Sequence, residues 1–171
     1  MIIRPATAGD APGVAAIYGN HVLTGLGTFE EVPPSDEEIG GRIAAVQDRG
    51  LPYLVAEDEG AVIGFAYAAP FRPRAAYRYT VENSIYIAPE AHRRGVGRAL
   101  LHRLIKECEA RNYRLMIAVI GDSAQTPSIE LHRAAGFKMV GAFEAVGYKF
   151  DRWLDSVLMQ RPLGKGSSAP P

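Results

Sequence analysis

The chain has 171 residues, of which 47% are apolar and 22% are charged. These values are typical of a folded protein and exclude global disorder, so we predict one domain over residues 1–163. Nineteen basic residues balance nineteen acidic ones, which argues against a dedicated nucleic-acid binder.

The sequence also lacks the signals of a disulfide, a metal site or a membrane segment. Cys108 is the single cysteine, and the four histidines do not have the i, i+4 spacing of a helical metal pair. No run approaches the roughly 18 apolar residues of a membrane span, and the N-terminus lacks the pattern of a signal peptide. We therefore expect a cytoplasmic protein with no metal, no nucleic-acid partner and no membrane contact.

The first half of the chain predicts a strand, two helices and three further strands. Asp10 is placed to cap the first helix. Ser35 and Glu38 have capping-box spacing and begin the second helix, which runs to about Arg49. The strands are predicted over residues 2–5, 53–57, 61–69 and 80–88, with a loop over 24–34 and a hairpin turn at 58–60.

The second half predicts two more helices, each followed by strands. From Gly97 onward apolar residues recur with helical spacing, and a short helix runs from Pro127 to the stop at Ala135 and Gly136. The resulting order, β-α-α-β-β-β-α-β-α-β-β, is typical of an α/β fold with a mixed sheet and helices on its faces. The remaining strands are predicted over residues 114–120, 138–148 and 153–160, and a flexible tail over 164–171.

A glycine-rich segment, His92-Arg93-Arg94-Gly95-Val96-Gly97-Arg98, lies between a predicted strand and the amphipathic helix. Glycines allow a ligand to approach the backbone, and a helix start offers free N–H groups and a positive dipole end, so the segment fits a pyrophosphate. It lacks the Gly-Lys-Ser or Gly-Lys-Thr of a Walker A loop and the third glycine of a Rossmann fingerprint. A tight strand-to-helix turn without a ligand is the alternative.

This segment resembles the signature of the GNAT superfamily of acetyl-CoA-dependent N-acetyltransferases, in which Gln or Arg is followed by two residues, Gly, one residue and Gly or Ala. Two residues depart from the family pattern: His92 stands at the Gln/Arg position, and Gln125 stands where Asn is usual. Further segments resemble phosphinothricin and methionine sulfoximine acetyltransferases, so that the resemblance covers residues 2–162. They are Tyr79 to Ile87 (YTVENSIYI), Ala118 to Gly121 (AVIG), Leu131 to Phe137 (LHRAAGF), Val146 to Phe150 (VGYKF) and Arg152 to Asp155 (RWLD).

The resemblance implies a GNAT fold, a mixed and splayed β-sheet flanked by helices, with acetyl-CoA as co-substrate. It implies that the pyrophosphate binds residues 93–98 and that the pantetheine arm runs along residues 85–87 as a pseudo-strand. A backbone N–H near Ile87 would stabilise the oxyanion. The implied cofactor-binding residues are Ile85, Tyr86, Ile87, Arg93, Arg94, Gly95, Val96, Gly97, Arg98 and Gln125.

Two residues match positions that the resemblance implies are catalytic. Glu82 matches the general base, which amine acetylation needs because only a neutral amine attacks a thioester. The alternative for this carboxylate is an ion pair, with Arg72, Arg74 or Arg78 as partner. His132 stands where many members carry the Tyr that protonates the leaving thiolate, and its alternative is an ordinary packed or surface histidine.

The implied acceptor is a small α-amino acid analogue, acetylated by direct transfer in a ternary complex of a homodimeric enzyme. Arg72 and Arg74 are candidates to bind its acidic groups, since guanidinium groups bind carboxylates and phosphinates bidentately. Phe29 either walls this pocket or belongs to the core. Two alternatives for the function stay open: acetylation of another small amine or of a protein N-terminus, and a non-catalytic acyl-CoA-binding module.

Overall fold

The structure, a computed structural model, describes all 171 residues. The order of helices and strands is the predicted one, with three additional single 3-10 turns. The strands are β1 (Ile2–Pro5), β2 (Tyr53–Asp58), β3 (Ala61–Pro70), β4 (Thr80–Ile87), β5 (Leu115–Ile120), β6 (Lys138–Lys149) and β7 (Arg152–Pro162). The helices are α1 (Ala11–Thr24), α2 (Asp36–Gln47), α3 (Val96–Ala110) and α4 (Thr126–Ala134).

All seven strands form one mixed sheet in the order β1-β2-β3-β4-β5-β7-β6. Every neighbouring pair is antiparallel except β4 and β5, which are parallel. That parallel pairing joins only residues 80–83 of β4 to residues 115–118 of β5. Beyond Asn83 the two strands separate, because β4 continues along β3 while β5 continues along β7. The predicted splayed sheet is confirmed, and we call this opening the fork.

Helices cover both faces of the sheet, and alternation along β4 assigns its side chains to one face or the other. Tyr86 packs against Tyr18 of α1, with ring centroids 4.9 Å apart, so that the even-numbered residues of β4 face α1 and α2. Ile87 lies on the opposite face, where its side chain and Val96 of α3 both approach Gly64. Glu82 and Asn83 therefore point to opposite faces at the fork.

The predicted helix starts are confirmed at α2 and corrected at α1. The Ser35 side chain accepts a hydrogen bond from the backbone N–H of Glu38, as the capping-box spacing predicts. Asp10 precedes α1 but makes no capping hydrogen bond to it. Its carboxylate instead accepts bonds from the Arg4 guanidinium and the Thr7 N–H, which hold its pKa at about 2.

The C-terminal residues after Pro162 form turns beside the start of β5. The guanidinium of Arg114 donates to the carbonyls of Gly166 and Pro170. Flexibility of residues 164–171 stays a prediction. None of the helices, the longest of which has 15 residues, combines the length and apolarity needed to cross a membrane.

Candidate active site

The glycine-rich segment forms the turn into α3. Gly95 precedes the helix in the left-handed conformation, with φ of 79°, which residues with a Cβ rarely adopt. Ala99 is the first residue of α3 whose backbone N–H donates to a carbonyl one turn earlier, that of Gly95. The N–H groups of residues 96–98 thus have no acceptor within the helix. They are free to bind an anion, which the positive end of the helix dipole also favours.

The arginines of this segment do not all face the same way. His92, Arg93 and Arg98 line a large cleft beside the fork. Arg94 differs from the prediction, because its guanidinium pairs with the carboxylate of Asp58 at 2.5 Å and does not line the cleft. The exposed Arg94 side chain is drawn to the Asp58 carboxylate at the end of β2, so that only the backbone of Arg94 belongs to the glycine-rich segment.

The edge of β4 that faces the fork carries unpaired backbone groups. The N–H of Ala88 bonds to β3, so alternation directs the backbone groups of Ile85 and Ile87 away from β3 and into the fork. The Ile87 carbonyl accepts hydrogen bonds from two histidines, His21 Nε2 at 2.9 Å and His92 Nε2 at 3.3 Å. The backbone N–H groups of Ile85 and Ile87 remain available to an extended ligand.

The cleft passes through the sheet and has a volume of about 840 Å³. From the α1 face it is lined by Ser84 and by Gly25 and Gly27 of the α1–α2 loop, and from the α3 face by Gly97 and His132. A ligand in the cleft is therefore accessible from both faces of the sheet at the fork. Gln125, at the start of α4, also lines it, and its side chain makes no capping hydrogen bond.

His132 is buried, with 4% of its surface exposed, and links three elements. Its Nε2 lies 3.0 Å from Oδ1 of Asn83, whose Nδ2 donates to the Ile117 carbonyl of β5. Its Nδ1 lies 2.8 Å from the Ser128 carbonyl. Burial lowers the pKa of His132, whereas two facing acceptor oxygens favour a ring that carries both protons. Sequence reasoning missed Asn83, which holds the imidazole at the point where β4 and β5 part.

Glu82 lies on the opposite face and is half-buried on β4. No hydrogen bond or ion pair engages its carboxylate, so the ion pair with Arg72, Arg74 or Arg78 is absent. Burial raises its pKa, and no neighbouring cation opposes that effect. A half-buried carboxylate without a partner, beside an opening in the sheet, has the properties of a proton acceptor.

Arg72 and Arg74 lie in the loop between β3 and β4 and are exposed. The Arg72 guanidinium lies over the rings of Phe71 and Tyr77, 5.1 and 5.9 Å from their centroids. No carboxylate pairs with either arginine, which leaves both guanidinium groups free for an anion. The loop closes where the Phe71 N–H bonds to the Thr80 carbonyl, two residues before Glu82.

Phe29 lies in the α1–α2 loop, with 40% of its surface exposed and its ring against Gly147 of β6. It is therefore neither a core residue nor a solvated one.

A second cavity of about 270 Å³ lies beneath α2 on the Glu82 face and is mostly apolar. Ala69, the cross-strand neighbour of Glu82, lines this cavity.

The remaining candidate for covalent chemistry is Cys108. It is fully buried on α3, and burial raises its pKa to about 12, so its thiol is protonated at neutral pH. It does not line the cleft. No group of three or more His, Cys, Asp or Glu side chains is arranged to hold a metal ion.

Comparisons with known proteins agree with this geometry. A family model described as the acetyltransferase (GNAT) domain matches residues 3–158. The chain is 53% identical to phosphinothricin N-acetyltransferase of Alcaligenes faecalis, over 99% of the chain and 86% of the relative. It is 38% identical to L-methionine sulfoximine/L-methionine sulfone acetyltransferase of Pseudomonas paraeruginosa, over 98% of each.

A solved structure is similar along nearly the whole chain. It is that of a GNAT superfamily phosphinothricin acetyltransferase from Sinorhizobium meliloti in complex with acetyl-CoA. Its TM-score is 0.97, with 50% identity over 99% of this chain and 92% of that one.

Proposed function

Since the chain belongs to the GNAT family of acetyltransferases, we propose that it transfers the acetyl group of acetyl-CoA to the α-amino group of phosphinothricin and methionine sulfoximine. The observation that carries the proposal is the fork, with a helix-start anion site at one end and the unpaired Glu82 carboxylate at the other. The named activities of the relatives support the choice of acceptor. Acetylation of the amine would make such glutamate-like compounds harmless to the cell.

The residues along the fork fit acetyl-CoA. The N–H groups of residues 96–98 and the side chains of Arg93 and Arg98 would hold the pyrophosphate. The N–H groups of Ile85 and Ile87 would pair with the extended arm, and Gln125 would contact it from α4. Ile87 lies five positions after Glu82 on β4, a distance of about 17 Å along an extended strand. When bound, acetyl-CoA supplies the acetyl group as an activated thioester.

Glu82 acts as the general base in this proposal. The acceptor arrives as an ammonium ion, and the Glu82 carboxylate takes a proton from it directly or through one water. The raised pKa of Glu82 brings it closer to working pH, which improves a general base. The neutral amine then lies on the α1 face of the fork, where the thioester is accessible.

His132 is the proposed acid on the α3 face. In the protonated ring, Nε2–H donates to Asn83 Oδ1, which lies 3.0 Å away, so protonation of the leaving thiolate requires that proton to leave Asn83 for the sulfur. Access from two faces lets amine and thioester meet without an acyl-enzyme, and the buried Cys108 thiol offers no route to one. We therefore propose direct transfer in a ternary complex.

Arg72, Arg74 and Phe29 are proposed to bind the acceptor. The two free guanidinium groups would hold the carboxylate and the phosphinate or sulfoximine group, and Phe29 would form the opposite wall. The apolar cavity beside Ala69 provides room for apolar parts of the acceptor on the same face as Glu82.

The protein is further proposed to be a homodimer that contacts its copy through β6, β7 and their turn. β6 is an edge strand, and this hairpin carries apolar side chains that are between 49% and 64% exposed. Monomers rarely leave an apolar surface of this kind uncovered. The residues are Met139, Val140, Phe143, Val146, Tyr148, Phe150 and Trp153.

Thiol release from acetyl-CoA, followed across a panel of amines, tests the function. The panel contains phosphinothricin, methionine sulfoximine, ordinary amino acids, simple amines and peptide amines. We expect the two analogues to have the highest kcat/KM. Preference for a peptide amine would move the function to protein N-termini, and binding of acetyl-CoA without transfer to any amine would make the protein a binding module. The cytoplasmic location stays a prediction.

A further inference from the structure

Lys149 is a buried lysine at the end of β6 that the proposed chemistry does not use. Only 3% of its surface is exposed, and its ammonium donates hydrogen bonds to two backbone carbonyls, those of Gly25 at 3.1 Å and Thr28 at 2.9 Å. No carboxylate lies within ion-pair distance of it. Both acceptors belong to the loop between α1 and α2, more than 120 residues away in the chain.

The same loop packs closely on two glycines of the sheet. The ring of Phe29 lies so close to Gly147 that a Cβ there would overlap it. A Cβ at Gly121, after β5, would overlap the carbonyl of Leu26. The loop therefore packs directly against the backbone of these two glycines, at the end of β5 and on β6. Lys149 adds charged hydrogen bonds to two of the loop's carbonyls.

This segment borders the proposed reaction site. Gly25 and Gly27 line the large cleft, and Phe29 follows them with its ring partly exposed. A loop rich in glycine has many accessible backbone conformations, so it needs external contacts to keep one of them. Lys149 supplies two such contacts to residues on either side of Gly27.

We propose that Lys149 is a positioning residue, which holds residues 25–29 as the acceptor-side wall of the active site; the proposal rests on the proposed acetyltransferase function. A buried ammonium is costly, and an apolar chain of similar length would fill the same space without that cost. An apolar chain would, however, leave the carbonyls of Gly25 and Thr28 without these donors. The charged donors of Lys149 therefore hold two loop carbonyls in place.

The test is Lys149→Met, which keeps an unbranched side chain one heavy atom shorter and removes its donors. We expect the KM for the acceptor to rise about tenfold, equivalent to about 1.4 kcal/mol, while kcat falls less and the Kd for CoA changes by less than about threefold. Hydrogen exchange should become faster in residues 24–31 and stay unchanged in α3. Lys138→Met, an exposed lysine on the same strand, is the matched control and should leave all three unchanged.

A double-mutant cycle identifies the route of the effect. If Lys149 acts through the wall, Lys149→Met should add little to the acceptor KM in a Phe29→Ala background, because the wall is already lost. Gly147→Ala displaces Phe29 and leaves Lys149 in place, so the same rise in acceptor KM would show that the wall itself matters. If Lys149→Met does not fold, Lys149→Gln, which retains an N–H donor on a shorter side chain, takes its place.

Unchanged acceptor KM and unchanged exchange in Lys149→Met would overturn the proposal, as would equal losses for CoA and acceptor. If the wild-type protein transferred no acetyl group to any amine, the proposed function would fail first. The exchange experiment would still decide whether Lys149 fixes the loop.

Discussion

Replacing Glu82 by Gln is the most direct perturbation of the site. Gln keeps the shape of the side chain and removes its capacity to accept a proton. Glu82 has no ion-pair partner in the structure, so the substitution breaks no ion pair and leaves no cation unpaired. Any loss of rate then reports proton transfer rather than damage to the fold.

The size and the pH dependence of the effect follow from that environment. Loss of a general base costs about 10²–10⁴ in rate, which corresponds to about 2.7–5.5 kcal/mol in activation free energy. Since burial raises the pKa of Glu82, the acidic limb of the wild-type kcat/KM profile should lie above the ordinary range of a glutamate. In Glu82→Gln that limb should disappear.

Stability should change in the opposite direction from activity. A carboxyl whose pKa is higher in the folded chain than in the unfolded chain binds more protons when folded, so its contribution to stability falls as pH rises. Glu82→Gln removes that contribution. Its Tm should therefore equal or exceed the wild-type Tm at neutral pH, and the difference should shrink as pH falls towards about 4.

The assay combines thiol release over a range of pH, calorimetry with CoA and thermal unfolding. Glu37→Gln, an exposed glutamate on α2, is the control and should resemble the wild type throughout. Wild-type turnover by Glu82→Gln would refute the base assignment. A fall in Tm equivalent to about 3–5 kcal/mol, the cost of breaking a buried ion pair, would show that the carboxylate has a structural partner.

Three further predictions concern the cofactor, the acceptor and the dimer. Gly97→Asp should weaken CoA binding at least about tenfold by calorimetry, because it adds a negative charge at the proposed anion site. Gly97→Ala, whose Cβ meets no protein atom closer than 3.4 Å, should fold normally and weaken CoA binding less than Gly97→Asp. Arg72→Ala or Arg74→Ala should raise the KM for phosphinothricin about tenfold, with little effect on the KM for a simple uncharged amine. Arg78→Ala is the control, and equal losses for both amines would contradict recognition of the acidic groups. Trp153→Glu should convert a dimer to a monomer in light scattering, and an unchanged mass would remove this hairpin from the interface.

The fold was predictable because its signals are local. Helical spacing of apolar residues, the Ser35 cap and strand alternation each occupy a few neighbouring residues, and the element order that they predict is confirmed. The error at Asp10 comes from competing partners close by in the chain. Its residue type suits a cap, but Arg4 and Thr7 compete for the same carboxylate oxygens and win.

The site was predictable only in part, because several of its contacts join residues far apart in the chain. A glycine turn before a helix is visible in the chain, and it is present at Gly95. The pairing of Arg94 with Asp58 joins residues 36 positions apart, and that of Lys149 with Thr28 joins residues 121 apart. Neither residue type selects such a partner, since an arginine or lysine binds any accessible carboxylate or carbonyl. Packing alone decides which one it meets.

The fork explains why neighbouring residues of β4 have separate proposed roles. Alternation sends Glu82 to the face of α1 and Asn83 to the face of α3, and there Asn83 holds His132 at 3.0 Å. Residue 83 is also the last position at which β4 pairs with β5. One residue later the strands part, so the proposed base and the proposed acid, which lie on opposite faces, both border the same opening. A shift of one residue in the β4 register would place Glu82 on the α3 face and Asn83 on the α1 face, so that each would lose its present neighbours. The positions of the proposed proton acceptor and donor are thus set by where the parallel pairing ends.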